Sequence, residues 1–178
     1  MHRKLQVFFL PVVLTATILL GFERAAHADD ATVLAADFDW TGGIGERGVS
    51  TGQGGAIRLG YKLDMVLASL TPEVGGGYHW FRGAADASLK QGFVGGRLRF
   101  GKILEPGVYA HLGYGVLDES VPGAGFSGVS ADAGVSLDLT LLPVLDLGVH
   151  AGYNGILANS EHSAFDSYVL GLQAALVF

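Results

Sequence analysis

The sequence lacks cysteine altogether, which excludes a disulfide framework and a thiolate nucleophile or metal ligand. Lysine is scarce, and after residue 28 it occurs at Lys62, Lys90 and Lys102. Acidic residues outnumber Lys and Arg by 17 to 11, and the net charge of −6 argues against nucleic acid, which requires a basic face. After residue 22 no apolar run reaches the ~20 residues of a transmembrane helix. If that part of the chain enters a membrane, it does so through β-strands.

The first 28 residues have the three parts of a secretory signal peptide. Residues 1–4 are basic, residues 5–22 are mainly apolar, and Ala26-His27-Ala28 offers the small residues that signal peptidase needs. An uncleaved helical anchor is the alternative, because the apolar stretch is long, but the cleavage site and Pro11 favour removal. We expect residues 29–178 to form one domain. Loss of residues 1–28 removes three basic residues and one acidic residue, so its net charge is −8.

Eight stretches of this domain alternate between apolar residues and small or polar ones, which predicts β-strands. They cover residues 32–40, 56–63, 70–80, 94–100, 108–114, 130–139, 145–153 and 168–178. The connections alternate between long glycine-rich segments (42–55, 82–92, 115–129 and 154–167) and short ones (64–69, 101–107 and 140–144). Long loops at one end and short turns at the other are typical of transmembrane barrels. The sequence therefore predicts an all-β, eight-stranded, antiparallel up-and-down barrel.

One face of every predicted strand is apolar and carries no charge. In the last strand this face holds Tyr168, Leu170, Leu172 and the terminal Phe178, while the opposite face is smaller and includes Gln173. An Arg or Lys on a lipid-facing wall costs roughly 2–4 kcal/mol at the midplane, so a charge-free face is what lipid contact demands. We expect the apolar face to touch acyl chains and the other face to line the lumen.

Aromatic residues lie near the ends of the predicted strands, as in the girdles that flank a membrane. The predicted outer girdle comprises Trp40, Tyr78, Trp80, Tyr114, Tyr153 and Tyr168, and the inner one includes Phe100 and Phe178.

A soluble lipocalin-like barrel is the rival interpretation, because it also has eight alternating strands but turns its apolar face inward. Three features disfavour it. The polar face is crowded with glycine, lysine is scarce, and the aromatics cluster at strand ends instead of filling a central calyx.

Over residues 29–178 the chain resembles the small outer-membrane β-barrels of the OmpA/OmpX type. The likeness rests on strand number, alternating loop length and the terminal Phe178, which resembles the last residue of the strand that the barrel assembly machinery reads. It implies a Gram-negative outer membrane, contact with membrane lipid and lipopolysaccharide, and a monomer.

Charged residues fall on the predicted inward face. Pairing consecutive strands symmetrically about their loops sets Asp39 opposite Arg58, Arg58 opposite Glu73 and Glu73 opposite Arg99. This predicts a ladder of ion pairs across the lumen, since buried charges persist when they are paired. The interior of an eight-stranded barrel is just wide enough for side chains to fill, so a plugged lumen is favoured over an ion path.

Other polar residues suggest chemistry less strongly. Asp138 and Asp146 flank a short turn and are interpreted as solvated rim carboxylates. His79, His111 and His150 point inward on different strands, so hydrogen-bonded histidines are favoured over a zinc site. Glu161-His162-Ser163 in the last loop contains the residue types of a hydrolase triad, but adjacent loop residues diverge in direction.

We therefore expect a non-enzymatic outer-membrane protein without metal or cofactor, with a structural or surface-interaction role through its loops. A narrow conduit for ions or small apolar molecules, as in OmpW-like barrels, is the first alternative. A lipid A-modifying or phospholipid-modifying enzyme is the second.

Overall fold

The computed structural model describes residues 30–44, 49–83, 86–119, 125–157 and 165–178, which form eight β-strands. The strands are β1 (Asp30–Ile44), β2 (Val49–Asp64), β3 (Ala68–Gly83), β4 (Ala87–Phe100), β5 (Leu104–Glu119), β6 (Phe126–Leu142), β7 (Leu145–Ile156) and β8 (Phe165–Val177). Each strand pairs antiparallel with the next, and β1 pairs with β8. The predicted closed, up-and-down eight-stranded barrel is confirmed. In the described ranges no helix is long and apolar enough to cross a membrane.

One end of the barrel, the turn end, carries the short connections at 65–67, 101–103 and 143–144, as predicted. Gly101 has a φ of +106°, a left-handed conformation that side-chain-bearing residues rarely adopt, so glycine is required there. Phe178 also lies at this end, where its backbone nitrogen donates to the carbonyl oxygen of Thr32 at 2.9 Å. Both ends of the described chain therefore lie at the turn end.

The opposite end, the loop end, carries the other four connections, and here the predicted boundaries are wrong. The strands extend well into the segments assigned to long loops, so that β1 and β2 are separated by residues 45–48 alone. The predicted boundaries are wrong because a glycine-rich segment is typical of a loop, whereas here such segments form part of the strands. In β2, however, Gly52, Gly54 and Gly55 all lie in the ladder with β1 and β3.

The apolar face of the sheet points outward. Ile57, Val94 and Leu112 are 65%, 60% and 63% exposed, whereas the inward-facing Arg58 and Glu73 are 5% and 7% exposed. The lipocalin-like alternative is therefore wrong, since it requires the leucines inside and the charges outside.

Candidate functional site: the barrel lumen

Charged and polar side chains fill the middle of the lumen, and every strand contributes to them. They include Asp37 and Asp39 (β1), Arg58 (β2), Glu73 and His79 (β3), Arg97 and Arg99 (β4), Glu105 and His111 (β5), Asp132 and Asp138 (β6), Asp146 and His150 (β7) and Gln173 (β8). Ionised groups are buried at a high cost unless partners compensate for the lost water. These charged side chains therefore need ion-pair and hydrogen-bond partners within the lumen.

Arg58 is the centre of the first cluster. Its guanidinium lies 2.7 Å from Asp37 and 2.8 Å from Glu73, and it also donates to Gln173 Oε1 at 3.0 Å. Arg97 donates to the same Gln173 oxygen at 2.9 Å, and the amide of Gln173 donates in turn to Asp138. Gln173 thus links two arginines to a carboxylate. The cluster joins β1, β2 and β3 to β4, β6 and β8 across the lumen.

A second cluster lies nearer the turn end, around Arg99. Arg99 is 2.9 Å from Asp146, 3.6 Å from Glu105 and 4.0 Å from Asp138. Asp138 and Asp146 are 1% and 2% exposed, so the interpretation of them as solvated rim carboxylates is wrong. Arg99 lies between these acids and offsets their mutual repulsion. Lys62 completes the cluster at the end of the lumen, 3.9 Å from Glu105.

A third cluster, towards the loop end, contains the three histidines. The carboxylate of Asp39 bridges two of them, at 2.8 Å from His79 Nε2 and 2.9 Å from His150 Nε2. His111 lies between two acids, with Nδ1 at 2.7 Å from Asp132 and Nε2 at 2.6 Å from Glu73. The histidines are hydrogen-bonded, as expected. Within the described residues no group of histidine, cysteine and acidic side chains is arranged to hold a metal ion.

The predicted ladder is only partly correct. Arg58 lies opposite Gly75 and not Glu73, although its guanidinium reaches the carboxylate of Glu73 at 2.8 Å. Asp39 lies opposite Gly54 and not Arg58, and Arg58 pairs with Asp37 on β1 instead. Glu73 lies opposite Gly95, and Arg99 contacts Asp146 and Glu105 rather than Glu73. The errors follow from the misplaced loop boundaries, because a hairpin's register depends on where its loop lies.

Glycines on the inward face make room for this network. A Cβ atom on Gly171 would collide with Asp39 and His150, so the bridge between these two residues requires glycine there. The phenol of Tyr109 likewise packs against Gly152, and its ring stacks on His111 at 5.4 Å between centroids.

At the loop end the lumen changes from charged to apolar. Seven buried side chains from six strands form what we call the apolar plug: Phe81, Ala87, Leu89, Leu117, Phe126, Ile156 and Phe165. Phe81 of β3 and Phe165 of β8 are not on neighbouring strands, yet their rings meet edge to face with centroids 5.3 Å apart. Leu117 and Ile156 are fully buried beside them. The plug therefore spans the lumen from wall to wall.

The sequence interpretation missed the apolar plug because it placed most of these residues in loops. A signal was nevertheless present in β4, where Ala87, Leu89, Gln91 and Phe93 continue the period of two set by the inward-facing Arg97. Glu105 was missed for the same reason, since the fifth strand begins earlier than predicted.

A polar cavity of about 50 Å³ lies at the level of the histidines, lined in part by Asp39, Tyr109 and Asn154. The Nδ1 atoms of His79 and His150, two further lining residues, have no hydrogen-bond partner among the residues that the structure describes. A water molecule needs roughly 10–15 Å³ of such space, so the cavity accommodates a few waters. It is too small for a lipid or a sugar.

The predicted girdle residues lie on the outward face. Near the loop end, Trp40, Tyr78, Trp80, Tyr114, Tyr153 and Tyr168 are between 39% and 57% exposed, and at the turn end Phe100 and Phe178 are 47% and 43% exposed. Their role as a membrane-interface belt stays a prediction. The candidate triad Glu161-His162-Ser163 and the signal segment 1–28 lie outside the described residues.

No protein-family model matches the sequence, and no curated protein matches it. Solved structures do. Neisserial surface protein A is 12% identical with a TM-score of 0.58, over 85% of this chain and 98% of that one. Ail, the attachment invasion locus protein of Yersinia pestis, is 14% identical with a TM-score of 0.54, over 84% and 97%. The outer membrane enzyme PagL is 17% identical with a TM-score of 0.53, over 79% and 97%.

At these low sequence identities the structural similarity indicates a shared fold and says nothing about activity. It agrees with the closed sheet, the exposed apolar wall and the charged interior found above. This chain has the fold of the small eight-stranded outer-membrane β-barrels.

Proposed function

We propose that this protein is an integral outer-membrane β-barrel with a closed lumen, which supports the membrane structurally and meets external partners through its loop end. The observation that carries this proposal is the contact of Phe81 with Phe165 across the lumen. A solute entering at the loop end meets the apolar plug first and the three charged clusters behind it. The apolar plug disfavours the passage of ions, and the charged clusters disfavour the passage of apolar molecules.

Membrane residence is supported by the outer wall. From Leu70 to Trp80, β3 presents apolar or glycine residues outward over eleven positions, which fits the ~9–11 residues of a membrane-spanning strand. Lipid and lipopolysaccharide would then surround the wall, with the exposed aromatics at the two interfaces. We further propose that residues 1–28 direct export and that the carboxy-terminal strand engages the barrel assembly machinery.

A monomer is the expected state. The β1–β8 pairing closes the sheet, so the described strands leave no edge free to pair with a second chain.

The conduit remains the second candidate, because the 50 Å³ cavity shows that the lumen is not packed solid. A conduit would require this cavity to connect with both ends of the barrel. The enzyme alternative gains support from PagL, an outer membrane enzyme of the same fold. The lumenal side chains that are described, however, hold one another in ion pairs and hydrogen bonds.

Conductance in planar lipid bilayers tests the closed lumen. The purified, folded protein is expected to give no steady single-channel current. The variant Leu117→Ala, which shortens a fully buried side chain of the apolar plug, is expected to stay closed because the charged clusters lie behind the plug. Steady channels in the unmodified protein would rule out the proposal and favour the conduit.

A matched variant separates the apolar plug from general damage to the barrel. Leu112→Ala removes the same atoms on the same strand, but Leu112 is 63% exposed on the outer wall. Leu117→Ala is expected to cost about 2–5 kcal/mol of unfolding free energy, as core truncations do, and Leu112→Ala much less. Equal losses would contradict a packed plug.

A further inference from the structure

His111 of β5 contacts a carboxylate through each of its two ring nitrogens. Nδ1 lies 2.7 Å from Asp132 of β6, and Nε2 lies 2.6 Å from Glu73 of β3. An ionised carboxylate only accepts hydrogen bonds, and a neutral imidazole has a proton on just one of its nitrogens. With a neutral ring, one of the two contacts would set a nitrogen lone pair against a carboxylate oxygen. The geometry therefore requires one proton more than a neutral histidine and two carboxylates supply.

The imidazole is the group that takes this extra proton. In model peptides histidine holds a proton to a pH roughly two units higher than Asp or Glu does. Glu73 also lies 2.8 Å from Arg58 and 3.8 Å from Arg97, and both cations favour its ionised form. The ring of His111, placed between two acids, is consequently an imidazolium, with both nitrogens donating.

The other groups around His111 act in both directions. Arg97 of β4 lies over the ring of Tyr109, which stacks on His111, so its positive charge opposes a second cation there. On β7, His150 meets the edge of Tyr109 and bonds to Asp39. Carboxylates nevertheless outnumber the arginines and the lysine among the described lumenal residues: Asp37, Asp39, Glu73, Glu105, Asp132, Asp138 and Asp146 against Arg58, Lys62, Arg97 and Arg99. A proton on His111 reduces this excess of negative charge.

The register of the strands places the His111 ring between its two acids. Asp132, His111, Gly95 and Glu73 are successive register partners on β6, β5, β4 and β3. A Cβ atom on Gly95 would lie 2.5 Å from Cδ2 of His111, so only glycine leaves room for the ring to reach Glu73. The imidazolium therefore joins β6 to β3 across an intervening strand.

We propose that the second ring proton of His111 is a pH-dependent lock inside the barrel. While it is bound, His111 joins Asp132 to Glu73. When it leaves, by way of the Asp132 carboxylate to water in the polar cavity that both residues line, one hydrogen bond breaks and two carboxylates face a neutral ring. The inference rests on the closed lumen of the proposed function, and it names the condition under which that lumen loosens.

The sign of the pH dependence follows from the number of protons bound. A histidine in the unfolded chain releases its proton above about pH 6.5, whereas the folded barrel keeps the proton on His111. Because the folded state then binds one proton more than the unfolded state, stability falls as the pH rises. From about pH 7 to about pH 8.5, the ratio of unfolded to folded protein should increase nearly tenfold per pH unit, as release of one proton on unfolding requires.

Nitrogen NMR of the folded protein, labelled with ¹⁵N at histidine, tests the charge of the ring directly. The His111 signals are assigned by their loss in His111→Gln. At about pH 8, where a free histidine is mainly neutral, both His111 nitrogens are expected to be protonated. A ring with one bare nitrogen at that pH would overturn the proposal.

Urea unfolding in lipid vesicles across the same pH range tests the lock. Asp132→Asn removes the need for the extra proton, because the new amide donates to Nδ1 of a neutral ring, so stability should depend much less on pH. Asp118→Asn is the matched control, since Asp118 is an exposed acid paired with Lys90, and it should keep the dependence of the unmodified protein. Equal dependence on pH in the two variants would contradict the lock.

A second matched pair covers the histidines themselves. His111→Gln should lose the pH dependence, and His150→Gln should keep it, because Nε2 of His150 bonds to a single acid, Asp39. An equally large loss in both variants would remove the assignment to His111. Steady channels in the unmodified protein would instead contradict the closed lumen. The NMR spectrum does not depend on conductance, so the two failures are distinguishable.

Discussion

The guanidinium of Arg58 lies 2.8 Å from the carboxylate of Glu73, inside the barrel and shielded from solvent. Arg58 also neutralises Asp37, so one cation serves two buried acids. Removing one member of such a cluster leaves a buried charge without its partner. The resulting loss of unfolding free energy is larger than the net stabilisation that the intact cluster provides. The lumen is consequently most sensitive to substitutions that change its balance of charge.

Arg58→Ala is therefore expected to lower the free energy of unfolding by about 3–5 kcal/mol. The measurement is urea unfolding in lipid vesicles, followed by tryptophan emission. Lys90→Ala is the control, since Lys90 and Asp118 form an ion pair 2.7 Å apart with both side chains more than half exposed, and exposed pairs of this kind contribute little to stability. Similar losses in the two variants would contradict a network shielded from water.

Asp39 offers a test of the histidine cluster. Asp39→Ala removes the acceptor for both His79 and His150 and is expected to cost about 2–4 kcal/mol, because two buried groups lose their partner. Asp39→Asn keeps one carbonyl oxygen and should cost less. Equilibrium unfolding of the two variants under the same conditions gives the comparison. If alanine is no worse than asparagine at this position, Asp39 does not hold the histidines.

Two glycines, Gly152 in the lumen and Gly92 on the outward face of β4, test how closely the lumen is packed. A Cβ atom on Gly152 would meet Tyr109 and would lie 2.7 Å from the carbonyl oxygen of Ala133, so Gly152→Ala should cost about 1–3 kcal/mol. A Cβ on Gly92 would meet none of the described residues within 4 Å. Gly92→Ala should therefore be neutral, or stabilising by up to about 1 kcal/mol, because glycine weakens a strand. Thermal unfolding of both variants decides; equal effects would mean that the interior adapts.

The outer wall is tested at Val94, which is 60% exposed on β4 between Lys90 and Phe100. Val94→Arg should reduce stability in lipid vesicles by roughly 2–4 kcal/mol, the cost of a cation near the bilayer midplane. Lys90→Arg on the same strand keeps a charge where one already exists and should have little effect. If Val94→Arg folds into vesicles as well as Lys90→Arg does, this part of the wall does not face acyl chains.

Strand number, antiparallel order and the face of each residue followed from the period-two pattern, and the structure confirms all three. Strand length did not follow, because glycine in a ladder and glycine in a loop look alike in a sequence. At the loop end Leu89 and Leu117 were assigned to loops, whereas they are buried in β4 and β5. The apolar plug lies in the region affected by that error.

The partner errors in the charge network have a regular form. Asp39 is predicted opposite Arg58 but lies opposite Gly54, and Glu73 is predicted opposite Arg99 but lies opposite Gly95. The predicted and observed partners differ by four positions in each case. Both shifts are even because alternation holds every inward residue inward, and a shift by one residue would turn it towards the membrane. The alternation of apolar and polar residues therefore determines which face of the sheet a side chain occupies, but it only weakly determines how neighbouring strands are aligned.

The sequence by itself determined which side chains enter the lumen, because their order along each strand decides the face. The closed barrel decided which of them meet, since Arg99 of β4 reaches Asp146 of β7 and Phe81 of β3 reaches Phe165 of β8 only across the interior. Contacts between non-neighbouring strands depend on barrel width and on the register of every hairpin between them. No local pattern carries that information.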